Sequence, residues 1–209
     1  MRIVKEHDVR KSEIIDTAER LFLIYGYSKC SVNQILDEIG IAKGTFYHYF
    51  KSKEEVLDAI VQRTADIIGD RAEAIVKERE TPSIMKLLKV FMAMNIQEEM
   101  DLTMLNEMHK PENALMHQKS LVAAVDALIP SLEAVVKEGI QAGEFECEYP
   151  KPYMKIFLSS AITLMDDGIF QVPKEEEEEL FVALMTLLGK MLGIEKKKMM
   201  EYATNYLHP

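Results

Sequence analysis

Long apolar runs are missing from this chain. No stretch of about eighteen apolar residues interrupts its 209 positions, so a helical membrane span is excluded. The first thirty residues carry Arg2, Lys5, Arg10 and Lys11 among several acids, where a signal segment would have an apolar core, and a cytoplasmic location is expected. Cysteine is scarce. Cys30 and Cys147 stand far apart with no CxxC spacing, which argues against a disulfide framework or a zinc site and leaves two reduced thiols. Alternating β-branched runs bounded by turn pairs such as Asn-Gly are absent. So are GxGxxG, GxxxxGK[ST], GxSxG and HExxH, which removes the common nucleotide-binding and hydrolytic motifs. No internal repeat occurs, and the one biased tract, Glu175 to Glu179, is acidic in the way that suits a helix N-terminus.

What remains is helical. Apolar residues make up 48% of the chain, enough for a sizeable core, and their spacing follows the helical period nearly throughout, predicting an all-α fold. A first helix is expected over 8–25, with Ile14, Ile15, Ala18, Leu21, Phe22 and Tyr25 on one face and Gly26 as its stop. Ser31 followed by Gln34 reads as a capping box for a second helix that ends at Gly40. A third short helix follows from Lys43 to Tyr49, and Ser52 with Glu55 marks a fourth start. That fourth helix runs towards Thr81-Pro82, where a fifth begins with proline at its first position. A short helix near 101–108 leads to the Lys110-Pro111 break, and a longer one reaches about Gly143 with Pro130 inside it, predicting a kink or a split. Two long helices, 152–170 and 175–192, close the series with apolar stripes.

The net charge of −10 is unevenly spread. Residues 1–53 hold nine Lys and Arg against seven Asp and Glu, a net of +2, which leaves −12 for the remainder. A small module facing phosphate, joined to an acidic body, has this asymmetry.

Two short helices across a glycine-containing turn are the sequence signature of a helix-turn-helix, here at about 31–50, whose second helix can enter a major groove. Phe46 and Phe50, four apart, can face the core and leave Lys43, Thr45, Tyr47, His48 and Tyr49 outward. Tyrosine and histidine offer flat faces to sugar or thymine methyl and polar tips to phosphate or base edges, and Lys43 can meet a phosphate or a guanine. Gly44 removes a side chain where a DNA backbone would approach. Ser31 can donate to a phosphate while it caps, although capping alone explains it. Lys53 sits at a helix N-terminus, where its charge opposes the dipole unless an anion is bound there. Ala42 forfeits a cap worth about 1 kcal/mol. Arg2, Lys5, Arg10 and Lys11 form either a minor-groove arm or a solvated terminus.

The segment from Gly40 to Leu57, GIAKGTFYHYFKSKEEVL, closely resembles the helix-turn-helix and following helix start of the tetracycline-repressor (TetR) family, and the resemblance spans about residues 8–68. It implies a phosphate contact for Lys53, a DNA-binding domain at 8–68 and a ligand-binding and dimerisation body at 69–209. It also implies a homodimeric repressor of palindromic double-stranded operator DNA, released by a small-molecule effector and needing no cofactor. DNA-binding residues are then Ser31, Lys43, Gly44, Thr45, Tyr47, His48, Tyr49 and Lys53. An activator of the same fold stays open. The competing class is a helical-bundle enzyme or carrier without DNA binding, against which the lack of paired ligands or a nucleophile-base spacing counts.

For the effector, the methionines between 85 and 116 mark either an adaptable pocket or ordinary core, and Phe91, Met92, Met104, Met108 and Phe157 are the expected lining. Glu98, Glu99, Asp101, Asp166 and Asp167 can attract a cationic ligand or simply be solvated. His109 and His117 with Glu107 and Glu112 raise a metal site, but eight residues across Lys-Pro is no single-face helical pair, so none is expected. The dimer interface is expected on Tyr153, Phe157, Ala161, Leu164, Leu184, Leu188 and Met191, with Ser160, Gly168 and Gly189 permitting close approach, although part of each stripe can instead face the protein's own core.

Overall fold

The computed structural model describes residues 2–93 and 102–207, with the side chains of 8–93, 105–202 and 204. The expectations for the side chains of Arg2, Lys5 and Met104, and those for Met94, Glu98, Glu99, Met100 and Asp101, lie outside what is described. Ten helices and no strand occur among the described residues: α1 (Arg2–Tyr25), α2 (Val32–Ile39), α3 (Lys43–Tyr49), α4 (Lys53–Val76), α5 (Ser83–Met92), α6 (Leu102–Met108), α7 (Ala114–Gln141), α8 (Pro150–Leu164), α9 (Lys174–Leu192) and α10 (Lys196–Leu207). None of those described is long and apolar enough to cross a membrane.

The early helices stop where residue chemistry stops them. Gly26 and Gly40 adopt φ of 86° and 76°, the left-handed region that glycine enters without Cβ strain. At the start of α2 the capping box forms, with Gln34 N–H donating to Ser31 Oγ at 3.3 Å and Ser31 N–H donating to Gln34 Oε1 at 2.8 Å. Ala42, at the cap of α3, makes no side-chain bond. Glu55 N–H takes up Ser52 Oγ at 3.1 Å as α4 begins.

Four features differ from the expected series. Helix α4 ends at Val76 and a turn precedes Pro82, which caps α5 from just outside it. Pro130 neither splits nor ends α7, which continues to Gln141. Helix α8 ends at Leu164, six residues early, because the Asp166 carboxylate accepts from Gly168 N–H at 2.8 Å and its carbonyl accepts from Ile169 N–H at 2.9 Å, so the chain turns. Beyond α9 lies a further helix, α10, which packs on it; Met199 is wholly buried, and Gly189 faces Ile194 and Met199.

The chain forms two compact units, with α4 divided after Ala65 and α7 after Ala123. The head unit contains α1, α2, α3, the first part of α4, α6 and the first part of α7. Its core gathers Ile14, Phe22, Ile35, Phe46, Leu57 and Ile60, with Met116 from α7. The body unit contains the rest of α4 and α7 with α5, α8, α9 and α10, around Leu87, Leu128, Leu132, Met154, Phe157 and Leu188. In the body, Lys86 is almost wholly buried and ion-paired with Glu138 at 2.7 Å while also donating to Val76 O at 3.2 Å, so its charge is fully answered inside the unit.

Candidate nucleic-acid interface

The recognition surface is built on two buried rings. Phe46 is 0% and Phe50 is 3% exposed, and they fix the inner side of α3 in the head's core. The outer side is then set by helical spacing. Lys43, Gly44, Tyr47 and His48 are exposed, and Thr45 and Tyr49 are half-buried. Lys43 Nζ lies 5.8 Å from the Tyr47 ring centroid one turn on, and the His48 and Tyr49 rings meet edge to face at 5.1 Å. A short helix without a side-chain cap thus carries a packed polar aromatic face, held from beneath rather than by its own ends.

Salt links join the other helices of the head. Arg63 of α4 pairs with both Asp16 and Glu19 of α1, the latter at 2.6 Å. Arg20 of α1 pairs with Glu38 of α2. Burial pushes the Glu19 carboxyl above its ordinary range, with Arg63 pulling the other way. Lys119 of α7 pairs with Asp58 at 2.5 Å and Glu54 at 3.0 Å, and those hydrogen bonds raise the pKa of its ammonium group.

Gly44 has open space around it: a Cβ there meets nothing within 4 Å. Gly44→Ala should therefore leave the folded head as stable as before, or more stable by up to about 1 kcal/mol through helix propensity. If a DNA backbone closes on this position, the same substitution should weaken DNA binding. Thermal melting beside a gel shift checks both, and unchanged DNA affinity would remove Gly44 from the contact surface.

Lys53 does more than sequence reasoning assigned to it. Its ammonium group donates to Tyr27 O at 2.6 Å and Cys30 O at 2.8 Å and lies 4.2 Å from the Tyr27 ring centroid, which ties the start of α4 to the loop between α1 and α2. Partial burial lowers its pKa. Of the three donors on an ammonium, two are spent on these carbonyls and one remains to meet a phosphate. The signal was present in the sequence, since a lysine that opposes a helix dipole needs a partner. Lys53→Ala should thus cost the head about 1–3 kcal/mol through lost charge-assisted bonds. It should also reduce the salt dependence of DNA binding by about one unit of slope. Denaturant melts and a salt titration separate the two; an unchanged slope leaves Lys53 purely structural.

The Ser31 hydroxyl is already engaged, accepting from Gln34 N–H and donating to Gln34 Oε1 at 3.0 Å. A phosphate contact there competes with the cap. Burial raises the Cys30 thiol pKa, so the thiol is a core group, not a reactive one.

Sequence reasoning missed the joint that ties the turn before α7 to the head. Tyr27 N–H donates to Asn113 Oδ1 at 2.7 Å, Ser28 N–H donates to Glu112 O at 3.0 Å, and Lys29 pairs with Glu112 at 2.5 Å. Asn113 is fully buried and donates in turn to Glu107 O at 2.9 Å. Its hydrogen bond to Lys29 lowers the Glu112 carboxyl pKa, so that contribution is present at neutral pH and is lost as acid protonates the carboxylate. An Asn two residues after Pro111, following a helix, was the available sign.

Several body assignments change. Phe157, Leu184 and Leu188 are 2%, 5% and 0% exposed within their own chain, so they face the core and not a partner. The physical reason is that these residues belong to the body's own core, which α10 joins through the wholly buried Met199. Tyr153, Ala161, Leu164 and Met191 are half-buried, while Ile156 at 55% and Leu187 at 40% point outward on the same helices. Phe91 packs on Phe157 with ring centroids 5.1 Å apart, while Met92 is exposed and Met108 packs against the head's core.

An outward face of Lys43, Thr45, Tyr47 and His48 on the second of two short helices, with its inner rings locked in a helical head, defines a helix-turn-helix DNA-binding protein. The model of the bacterial regulatory proteins, tetR family, matches residues 14–60, and that of the tetracyclin repressor-like C-terminal domain matches 96–186. The chain belongs to the tetR family of bacterial transcriptional regulators. Membership removes the reading as an enzyme or carrier. It is similar to the fatty acid metabolism regulator protein of Bacillus subtilis (strain 168), 24% identical over 144 residues, 68% of this chain and 74% of that protein. Two solved structures share the fold. RolR in complex with resorcinol has a TM-score of 0.63 at 17% identity, covering 99% of this chain and 97% of that one. FadR from Bacillus subtilis in complex with stearoyl-CoA has a TM-score of 0.53 at 21% identity, covering 88% and 99%.

Proposed function

We propose that this regulator is a homodimeric repressor that binds a palindromic operator and is released by a small effector held in the body. The observation that supports the DNA half of the reading is the outward face of α3, seated on the buried Phe46 and Phe50; in this reading Lys43 and Tyr47 reach base edges, while Tyr49 and, from the start of α4, Lys53 meet phosphates. Residues 8–68 then serve DNA and 69–209 serve effector and partner. A head this small reads one half-site, so two must be held about 34–36 Å apart. The half-buried Tyr153, Ala161, Leu164 and Met191, with the outward Ile156 and Leu187, supply the apolar surface for that pairing. Access to the operator places the protein in the cytoplasm.

The effector side rests on Phe91 and Phe157, an aromatic pair in the body suited to an apolar chain or ring. FadR is bound to stearoyl-CoA and the similar B. subtilis protein is named for fatty acid metabolism, so a long-chain acyl thioester is the effector to offer first. Effector and DNA are coupled reciprocally, each weakening the other by the same factor. A gel shift on selected DNA with and without stearoyl-CoA tests this. Release of DNA together with a rise in melting temperature supports the reading; a thioester that stabilises the protein and leaves DNA affinity unchanged defeats the coupling.

A further inference from the structure

The two histidines set aside on spacing are neighbours in the folded head. Helix α6 ends at Met108, a single 3-10 turn spans Pro111–Asn113, and α7 starts at Ala114, so His109 and His117 come from two elements and not from one helix. Their rings lie 4.9 Å apart by centroid, inclined at 51°, and their ring nitrogens lie within 4.8 Å of one another. Both side chains are half-buried, which leaves a path for an ion from solvent. Tetrahedral coordination with metal–nitrogen bonds of about 2.0–2.1 Å sets two imidazole nitrogens roughly 3.3 Å apart. Small side-chain rotations span that difference, and the buried Asn113 between the two residues holds the end of α6 through Glu107 O.

We propose that His109 and His117 form a binding site for a borderline transition-metal ion of the zinc, cobalt or nickel class, each giving one imidazole nitrogen, with oxygen donors completing the shell. The ion clamps the end of α6 to the first turns of α7, beside the joint where Glu112 and Asn113 hold the loop between α1 and α2. This stands independently of the operator reading, because it needs only the head's own geometry.

The test uses the full-length protein stripped with a chelator and titrated with Zn2+ by calorimetry, then with Co2+ by visible absorption. The expected result is one ion per chain, a rise in melting temperature with Zn2+, and cobalt d–d bands. His109→Ala and His117→Ala should each weaken binding at least about tenfold, while His48→Ala, on the recognition helix, keeps it. Circular dichroism of the stripped variants shows whether they are folded, and His109→Gln serves as a second variant should the alanine one unfold. No binding to the wild-type chain, or full binding retained in both single variants, overturns the site.

Discussion

Gly26→Ala should destabilise the head by about 3–5 kcal/mol, whereas Gly40→Ala should cost only about 1–2 kcal/mol. Both glycines sit at positive φ, 86° and 76°, so both substitutions carry the strain of placing a Cβ in the left-handed region. Their surroundings differ. A Cβ at Gly40 meets nothing within 4 Å, while one at Gly26 falls 2.3 Å from Glu112 Cβ and 3.5 Å from its Cα. That contact cannot be relieved by a side-chain rotation, because the obstructing atoms start at the backbone. The turn before α7 has to withdraw, and it takes with it the bonds from Tyr27 N–H to Asn113 and from Ser28 N–H to Glu112 O. Denaturant unfolding of the two variants measures the difference, and equal losses would show that the joint yields freely.

Ile156→Glu combined with Leu187→Glu should turn the protein into a folded monomer whose operator affinity falls on the order of a thousandfold. Both residues are outward on α8 and α9, so two glutamates there stay solvated in the single chain and repel only when a second chain approaches. The size of the loss comes from avidity, since a second tethered head multiplies affinity by about 10²–10⁴ without any new contact type. Leu188→Glu has a different expected outcome. It forces a carboxylate into a position with 0% exposure and should unfold the body instead of dissociating it. Light scattering with circular dichroism distinguishes the two; a double variant that remains dimeric would put the interface elsewhere.

Helix stops carried by glycine and the Ser31-Gln34 box were readable because the chemistry is local: one residue's conformational freedom or one reciprocal pair decides the end. The outward and inward sides of α3 were equally readable, since Phe46 and Phe50 are four apart and only one side can be apolar. What sequence periodicity misjudged depended on partners distant in the chain. The stripe through Leu184 and Leu188 was real, but it packs into the body's own core, which α10, a mostly polar segment, joins through few residues such as Met199. Lys53 was recognised as anomalous, yet its carbonyl partners are 26 and 23 residues away. The spacing of His109 and His117 across Lys-Pro fits no single helical face, and the proline turn itself brings their rings together.

Selection of bound DNA from a random pool tests the central claim most directly. The regulator as a homodimer with two heads about 34–36 Å apart predicts one enriched palindrome with half-sites a helical turn apart, and Lys43→Ala or Tyr47→Ala should relax the preference at particular base pairs by about 1–3 kcal/mol. A pool that yields no enriched sequence, or a lone half-site bound as tightly as the pair, would contradict it.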